Sequence, residues 1–116
     1  MEGIQLPRAQ LEGAQFNNTH FAGANLIAAS LPKADLSYAN LSLAILTDAD
    51  LQSAMLKGAS LRGAELINAD LRGADLSYAD LRNANLTEAM LTGAQLDKTI
   101  WIDGRVCAVG SVGQCN

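Results

Sequence analysis

Few residues in this 116-residue chain could do chemistry, and they are widely spaced. Cys107 and Cys115 are the only cysteines, His20 is the only histidine, and the 12 acidic residues are spread along the sequence. A Ser–His–acid set, a Cys–His pair or a metal cluster needs several such side chains, and a phosphate-binding loop needs clustered glycines, but the 10 glycines occur singly. The sequence therefore predicts a protein that is not an enzyme, with no catalytic residue, cofactor, metal site or small-molecule substrate.

The cysteine pair leaves three alternatives. A bond between Cys107 and Cys115 would close a short loop and stabilise the chain by about 2.6 kcal/mol. Two buried free thiols are the second alternative. A zinc site is the third and is disfavoured, because two cysteines with seven residues between them and no nearby histidine are a poor ligand set.

The chain repeats itself every five residues, from Leu6 to Leu96. Nineteen sites at this period hold 17 leucines, Phe16 and Phe21. A second series lies two residues earlier and holds alanine at 17 of 18 sites, with Thr19 as the exception. Residues that are five apart do not share one face of a helix, and they do not share one face of a continuous strand. The period therefore indicates a very short strand followed by a turn.

Each unit predicts one side and one corner of a coil. Alanine and leucine are two residues apart and point inward, while the residue between them points outward. Ser, Thr, Gly and Asn are frequent in the last two positions, as turns require. Four sides leave room for the leucines, which gives about 20 residues per coil and about five coils stacked roughly 4.8 Å apart. Asp or Asn stands at eight of the twenty outward positions, where its short side chain can bond the turn backbone.

The unit A(D/N)LXX, repeated without a break from Ile4 to Trp101, resembles the pentapeptide-repeat family. The resemblance implies an all-β fold, a right-handed quadrilateral parallel β-helix. We expect an N-terminal lead-in over residues 1–8, a solenoid over 9–101 and a C-terminal cap with the cysteine pair over 102–116. The first coil is expected to be wider and less regular, because it contains Phe16 and Phe21.

The end of the chain resembles the C-terminal caps of bacterial and cyanobacterial members, through the pattern W-x-D-G-x-x-C-A-x-G-S-x-G-x-C that begins at Trp101. Trp101 occupies a leucine position and is expected to act as a structural lid. With this resemblance the favoured state of Cys107 and Cys115 is a disulfide. A disulfide favours the periplasm or the thylakoid lumen over the cytosol. The first ten residues, MEGIQLPRAQ, do not read as a signal peptide, so the chain would be a mature form if exported.

Residues that lie 20 apart should stack, which makes the outward positions a map of the surface. Ile27, Ile45 and Ile67 fall on one side and are either isolated apolar residues or a contact strip for a partner or a second copy. Tyr38 and Tyr78 fall in another column, with Gly58 between them. These five large residues form the candidate interaction face.

Composition limits the partners. The formal charge of −4 and the pI near 4.7 argue against nucleic-acid binding, and no apolar stretch is long enough to cross a membrane. The predicted function is therefore a non-catalytic structural or protein-interaction module, binding a protein or itself through a flat face. The family resemblance implies one alternative, mimicry of DNA towards DNA gyrase or another nucleic-acid-binding protein. The mild charge and the short rod disfavour that alternative.

Overall fold

The computed structural model describes residues 3–116 and shows a rod wound from the five-residue unit. Parallel pairs join outward residues that are twenty positions apart, from Gln5–Asn25 to Asp80–Ile100, at every fifth residue. The described residues contain no helix, and their β-pairing consists of isolated bridges, one residue per side. Four units therefore complete one turn, and the rod has four sides, as the sequence predicts. With its cap, the rod measures 34 × 25 × 21 Å.

We number the sides by their outward residues. Side 1 begins at residue 5, side 2 at residue 10, side 3 at residue 15 and side 4 at residue 20, and each continues in steps of twenty. Coils 1 to 5 begin at residues 4, 24, 44, 64 and 84. The two residues after each inward leucine or phenylalanine form a corner, so residues 37–38 precede side 4 and residues 42–43 follow it.

Each corner is a tight turn closed by the backbone. The alanine N–H donates to the preceding leucine C=O, as from Ala39 to Leu36 at 3.1 Å. The second corner residue has positive φ at all twenty corners from Gly3 to Lys98, and thirteen of these residues are not glycine. A four-residue turn of type II needs positive φ at this position. Aspartate and asparagine tighten the turns, since all eight that stand at outward positions accept the N–H two residues later, which confirms that prediction.

The interior is a stack of aliphatic side chains. From Phe21 to Leu81 the inward alanines and leucines are at most 1% exposed. Coil 1 is more open, with Leu6, Leu11 and Phe16 only half-buried. Phe16 meets Phe21 edge to face, with ring centroids 5.0 Å apart, and the pairing around them keeps the regular step. Residues 3–8, expected as a lead-in, have the same pairing and corners as the later units, while Met1 and Glu2 lie outside the described residues.

The cap closes half of the C-terminal end. After Trp101 the chain reverses, so that Val106 pairs antiparallel with Ile100 and Val112 with Gln95. The cap therefore runs beneath sides 4 and 3, while sides 1 and 2 of coil 5 have no described residues beneath them. Cys107 and Cys115 form a disulfide that joins the two ends of this segment. Trp101, expected as a lid, lies half-buried against the core.

Candidate interaction surface

Two kinds of site are absent from the part of the chain that the structure describes. Residues 3–116 contain no group of three or more His, Cys, Asp or Glu side chains that could hold a metal ion. No helix among them is long and apolar enough to cross a membrane.

The three isoleucines lie on one side, as their spacing predicts, but they do not form a strongly exposed strip. Ile45 is the outward residue of side 1 in coil 3, between Asn25 and Glu65. Ile27 and Ile67 lie at the corner between sides 1 and 2, two coils apart. Ile27 is 36% exposed, whereas Ile45 and Ile67 are each partly buried. The role of these residues as a contact strip stays a prediction.

The two tyrosines lie at the corner before side 4, and both are well exposed. Tyr38 is 58% exposed and Tyr78 is 59% exposed. The Tyr38 ring covers Gly58 in the coil below, where an added Cβ would lie 2.5 Å from the ring atom Cδ1. The ammonium of Lys57 lies 5.9 Å from the centre of the Tyr78 ring, within the range of a cation–π interaction. Tyr38 and Tyr78 thus have different neighbours, although they share a column.

A groove of about 700 Å³ opens along side 4. Its floor contains the outward residues Asn40 and Ser60. Tyr38 forms one wall. Leu43, at the corner after side 4, forms the other wall and is 68% exposed. Arg62 and Asn83 also line the groove on the Leu43 side.

Two glycines give the groove its shape. Tyr38 lies over Gly58, and Leu43 lies over Gly63 in the same way, since an added Cβ on Gly63 would be 2.8 Å from the Leu43 Cδ2 atom. Each large side chain therefore occupies the space that a side chain in the next coil would fill. Tyr38 was among the residues expected from the sequence and Leu43 was missed, although the same step of twenty places Leu43 directly above Gly63.

Two arginine–aspartate ion pairs lie on opposite sides of the rod, one on side 2 and one beside the groove on side 4. On side 2, Arg72 donates from Nη2 to the Asp70 Oδ2 atom at 2.6 Å and from Nε to Oδ1 at 2.9 Å. Arg82 holds Asp80 of side 4 in the same way, at 2.6 and 3.0 Å. These side-chain hydrogen bonds lower the pKa of both carboxyl groups from the ordinary value of 3.8. Both aspartates are therefore charged at neutral pH and already paired.

The comparisons with known proteins agree with this architecture. The family profile for pentapeptide repeats matches eight copies, over residues 9–48, 25–63, 44–77 and 64–100. A search of curated protein sequences gives no significant match.

Among solved structures, the chain is similar to HetL from Nostoc sp. PCC 7120, a pentapeptide repeat protein involved in heterocyst differentiation regulation. The two are 32% identical, with a TM-score of 0.57 over 90% of this chain and 62% of HetL. A second protein from Nostoc PCC 7120, alr5209, is 41% identical, with a TM-score of 0.57 over 78% of this chain and 66% of its own. The chain thus spans less than two thirds of both Nostoc proteins.

QnrB1, a plasmid-mediated fluoroquinolone resistance protein, shows the same fold in a trypsin-treated form. It is 20% identical, with a TM-score of 0.61 over 94% of this chain and 68% of its own. These neighbours confirm the right-handed quadrilateral β-helix. With the profile matching most of the sequence, the chain belongs to the pentapeptide-repeat family.

Proposed function

We propose that this chain is a non-catalytic protein-interaction module that binds a partner protein in the side-4 groove. The observation that carries the proposal is the pair of exposed apolar walls, Tyr38 and Leu43, standing on either side of a polar floor. A soluble protein normally buries large apolar side chains, and exposed ones next to a cleft are typical of binding sites.

The backbone supports this use of the groove. Tyr38 and Leu43 both stand at corner positions with positive φ, of 59° and 60°. Such a conformation costs an ordinary side chain about 1–2 kcal/mol relative to glycine. Thirteen of the twenty corners carry a residue other than glycine at this position, but among these thirteen only Tyr38, Leu43 and Tyr78 have large apolar or aromatic side chains. Binding would supply a reason for residues that the fold itself does not need.

The groove is favoured over the other candidate surface. The isoleucines of side 1 are less exposed than Tyr38 and Leu43. Mimicry of DNA towards gyrase has less support, because side 4 carries basic residues and the rod as a whole has a formal charge of only −4.

A comparison of two variants tests the proposal. In the groove variant Tyr38 and Leu43 are changed to serine, which already occupies the same corner position at Ser53 with a φ of 57°. In the control variant Ile27 and Ile67 are changed to serine. Immobilised wild-type protein and both variants are incubated with extract of the source organism, and the retained proteins are compared by quantitative mass spectrometry.

We expect one partner to be retained by the wild type and by the isoleucine variant, and to be lost with the groove variant. If the partner is retained by the groove variant and lost with the isoleucine variant, the binding site lies on side 1 instead. Equal retention by all three proteins would contradict binding through either surface. Circular dichroism on each variant establishes that the fold is intact.

A further inference from the structure

The charges of the rod are unevenly distributed among its sides. In coils 2–4, which hold the groove, side 4 with its two corners carries three basic residues and one acidic one, Lys57, Arg62, Arg82 and Asp80. The other residues of these coils, within 24–83, include two basic residues and six acidic ones. The groove side of these coils therefore has a formal charge of +2, and their other sides together have a formal charge of −4.

Arg62 is the charged residue that lines the groove, and its donors are free among the described residues. Its Nε atom lies 4.0 Å from the Asp80 Oδ2 atom, which is too far for a hydrogen bond. Asp80 is already held by two hydrogen bonds from Arg82. The Arg62 side chain is 54% exposed, so its guanidinium can approach a ligand. A guanidinium with free donors is well suited to a carboxylate, which it can bind through two parallel hydrogen bonds.

The floor of the groove limits the shape of a ligand. One outward side chain separates the two corners in each coil, Asn40 in coil 2 and Ser60 in coil 3. A floor of this width accommodates one extended chain, whereas an α-helix is about 10–12 Å across. Asn40 and Ser60 offer hydrogen bonds to a peptide backbone, and Tyr38 and Leu43 offer apolar contact to an aliphatic side chain. Asp80 follows in coil 4, where Arg82 already holds its carboxylate.

From these observations we infer that the groove binds an extended, acidic peptide segment, with one carboxylate on Arg62 and an aliphatic side chain between Tyr38 and Leu43. This inference rests on the proposed function and names the chemistry of the partner. An acidic peptide is favoured over a nucleic acid, because a polyanion that extends beyond the groove would meet the formal charge of −4 on the other sides of coils 2–4. It is favoured over a second copy, because the exposed apolar residues on the acidic sides, such as Met55 and Met90, lie on flat coil faces and not in an extended segment.

Fluorescence anisotropy at low ionic strength tests the inference. The probe is a fluorescein-labelled peptide of five residues, with one glutamate next to a central leucine and otherwise uncharged residues. Two further probes are the same peptide with Gln in place of Glu, and an oligothymidine of five nucleotides. The protein variants are Arg62→Gln and, as matched control, Arg72→Gln, which removes the same charge at the equivalent corner position on the opposite half of the rod.

The control substitution is compatible with the fold. Gln52 already occupies the corner position equivalent to Arg72, where it donates to Asp50 through its side chain. We expect the acidic peptide to bind the wild type and Arg72→Gln alike, and to bind Arg62→Gln about five-fold more weakly. The neutral peptide should bind at least ten-fold more weakly than the acidic one, and binding should weaken as salt is raised.

Four outcomes would overturn the inference. They are the absence of binding of the acidic peptide at millimolar protein, equal binding by both arginine variants, tighter binding of the oligothymidine, and salt-sensitive self-association that depends on Arg62 in light scattering. If the acidic peptide fails while partner capture still requires Tyr38 and Leu43, the inference is wrong and the proposed function stands. If partner capture does not depend on Tyr38 and Leu43 either, both the inference and the proposed function are wrong.

Discussion

Replacing Gly58 with alanine should lower the free energy of unfolding for two reasons, the positive φ of the corner and the displacement of the Tyr38 ring. Gly58 has a φ of +67°, and an added Cβ would lie 2.5 Å from the Cδ1 atom of Tyr38. Gly73 offers a matched control in the neighbouring coil. It has a φ of +70°, and an added Cβ would lie 3.3 Å from the Ser53 Oγ atom, which can rotate away.

The expected magnitudes follow from these distances. Both substitutions place a Cβ at positive φ, which costs about 1 kcal/mol of unfolding free energy at each site. At Gly58 the Tyr38 ring must also move by more than about 1 Å to reach an ordinary contact of about 3.5–4.0 Å. The ring then swings into solvent and loses its packing on the next coil, which costs roughly 1 kcal/mol more. We therefore expect Gly73→Ala to cost about 1 kcal/mol and Gly58→Ala about 2 kcal/mol.

Urea denaturation, followed by circular dichroism, measures both values, and a Tyr38→Ala background tests the cause. In that background Gly58→Ala should cost no more than Gly73→Ala, because the ring that it displaces is absent. The explanation is refuted if Gly58→Ala still costs about 1 kcal/mol more than Gly73→Ala when Tyr38 has been removed. It is also refuted if the two substitutions cost the same in the wild type.

The remaining predictions concern the cap and the paired aspartates. Reduction of the Cys107–Cys115 bond should lower the free energy of unfolding by about 2.6 kcal/mol, measured by urea denaturation with and without reductant. A Cys107→Ser, Cys115→Ser variant should be equally destabilised and indifferent to reductant, and an oxidised wild type no more stable than that variant would contradict the prediction. Because the folded-state pKa values of Asp70 and Asp80 are lowered, their stabilising effect is complete above about pH 4 and is lost as the pH falls through those values. Unfolding free energy should therefore fall below about pH 4 in the wild type and fall less steeply in an Arg72→Gln, Arg82→Gln variant, and parallel pH profiles for the two proteins would count against this account.

The fold was predictable because one spacing decides it. Alanine and leucine at a period of five must share the interior, and the structure buries them from Phe21 to Leu81. The hydrogen bonds from the turn backbone to the aspartate and asparagine side chains were also predictable, since each joins residues only two positions apart. The reversal of the chain at the cap could not be predicted in this way, because it depends on pairing between Val106 and Ile100 that no repeat imposes.

The candidate site was only half predictable. A step of twenty placed Tyr38 above Gly58, but the direction of the ring, down over the glycine, depends on side-chain rotamers. Leu43 could have been found in the same way, since it also stands at a corner and the step of twenty places it above Gly63. The exposure of Ile45 and Ile67 was overestimated, since an outward position on a closely stacked coil is partly covered by the coils above and below.

The equivalence of the four sides has a consequence for insertions and deletions in the chain. Since each unit presents the same inward alanine and leucine, five residues can be added or removed without exposing the core. Such a change, made between coils 2 and 3, would nevertheless rotate all later residues by a quarter turn. Arg62 would then leave the side that carries Tyr38 and Leu43, and only changes of twenty residues would restore it. The interior therefore accepts any whole number of units, whereas a binding surface built across coils keeps its composition only when whole coils are gained or lost.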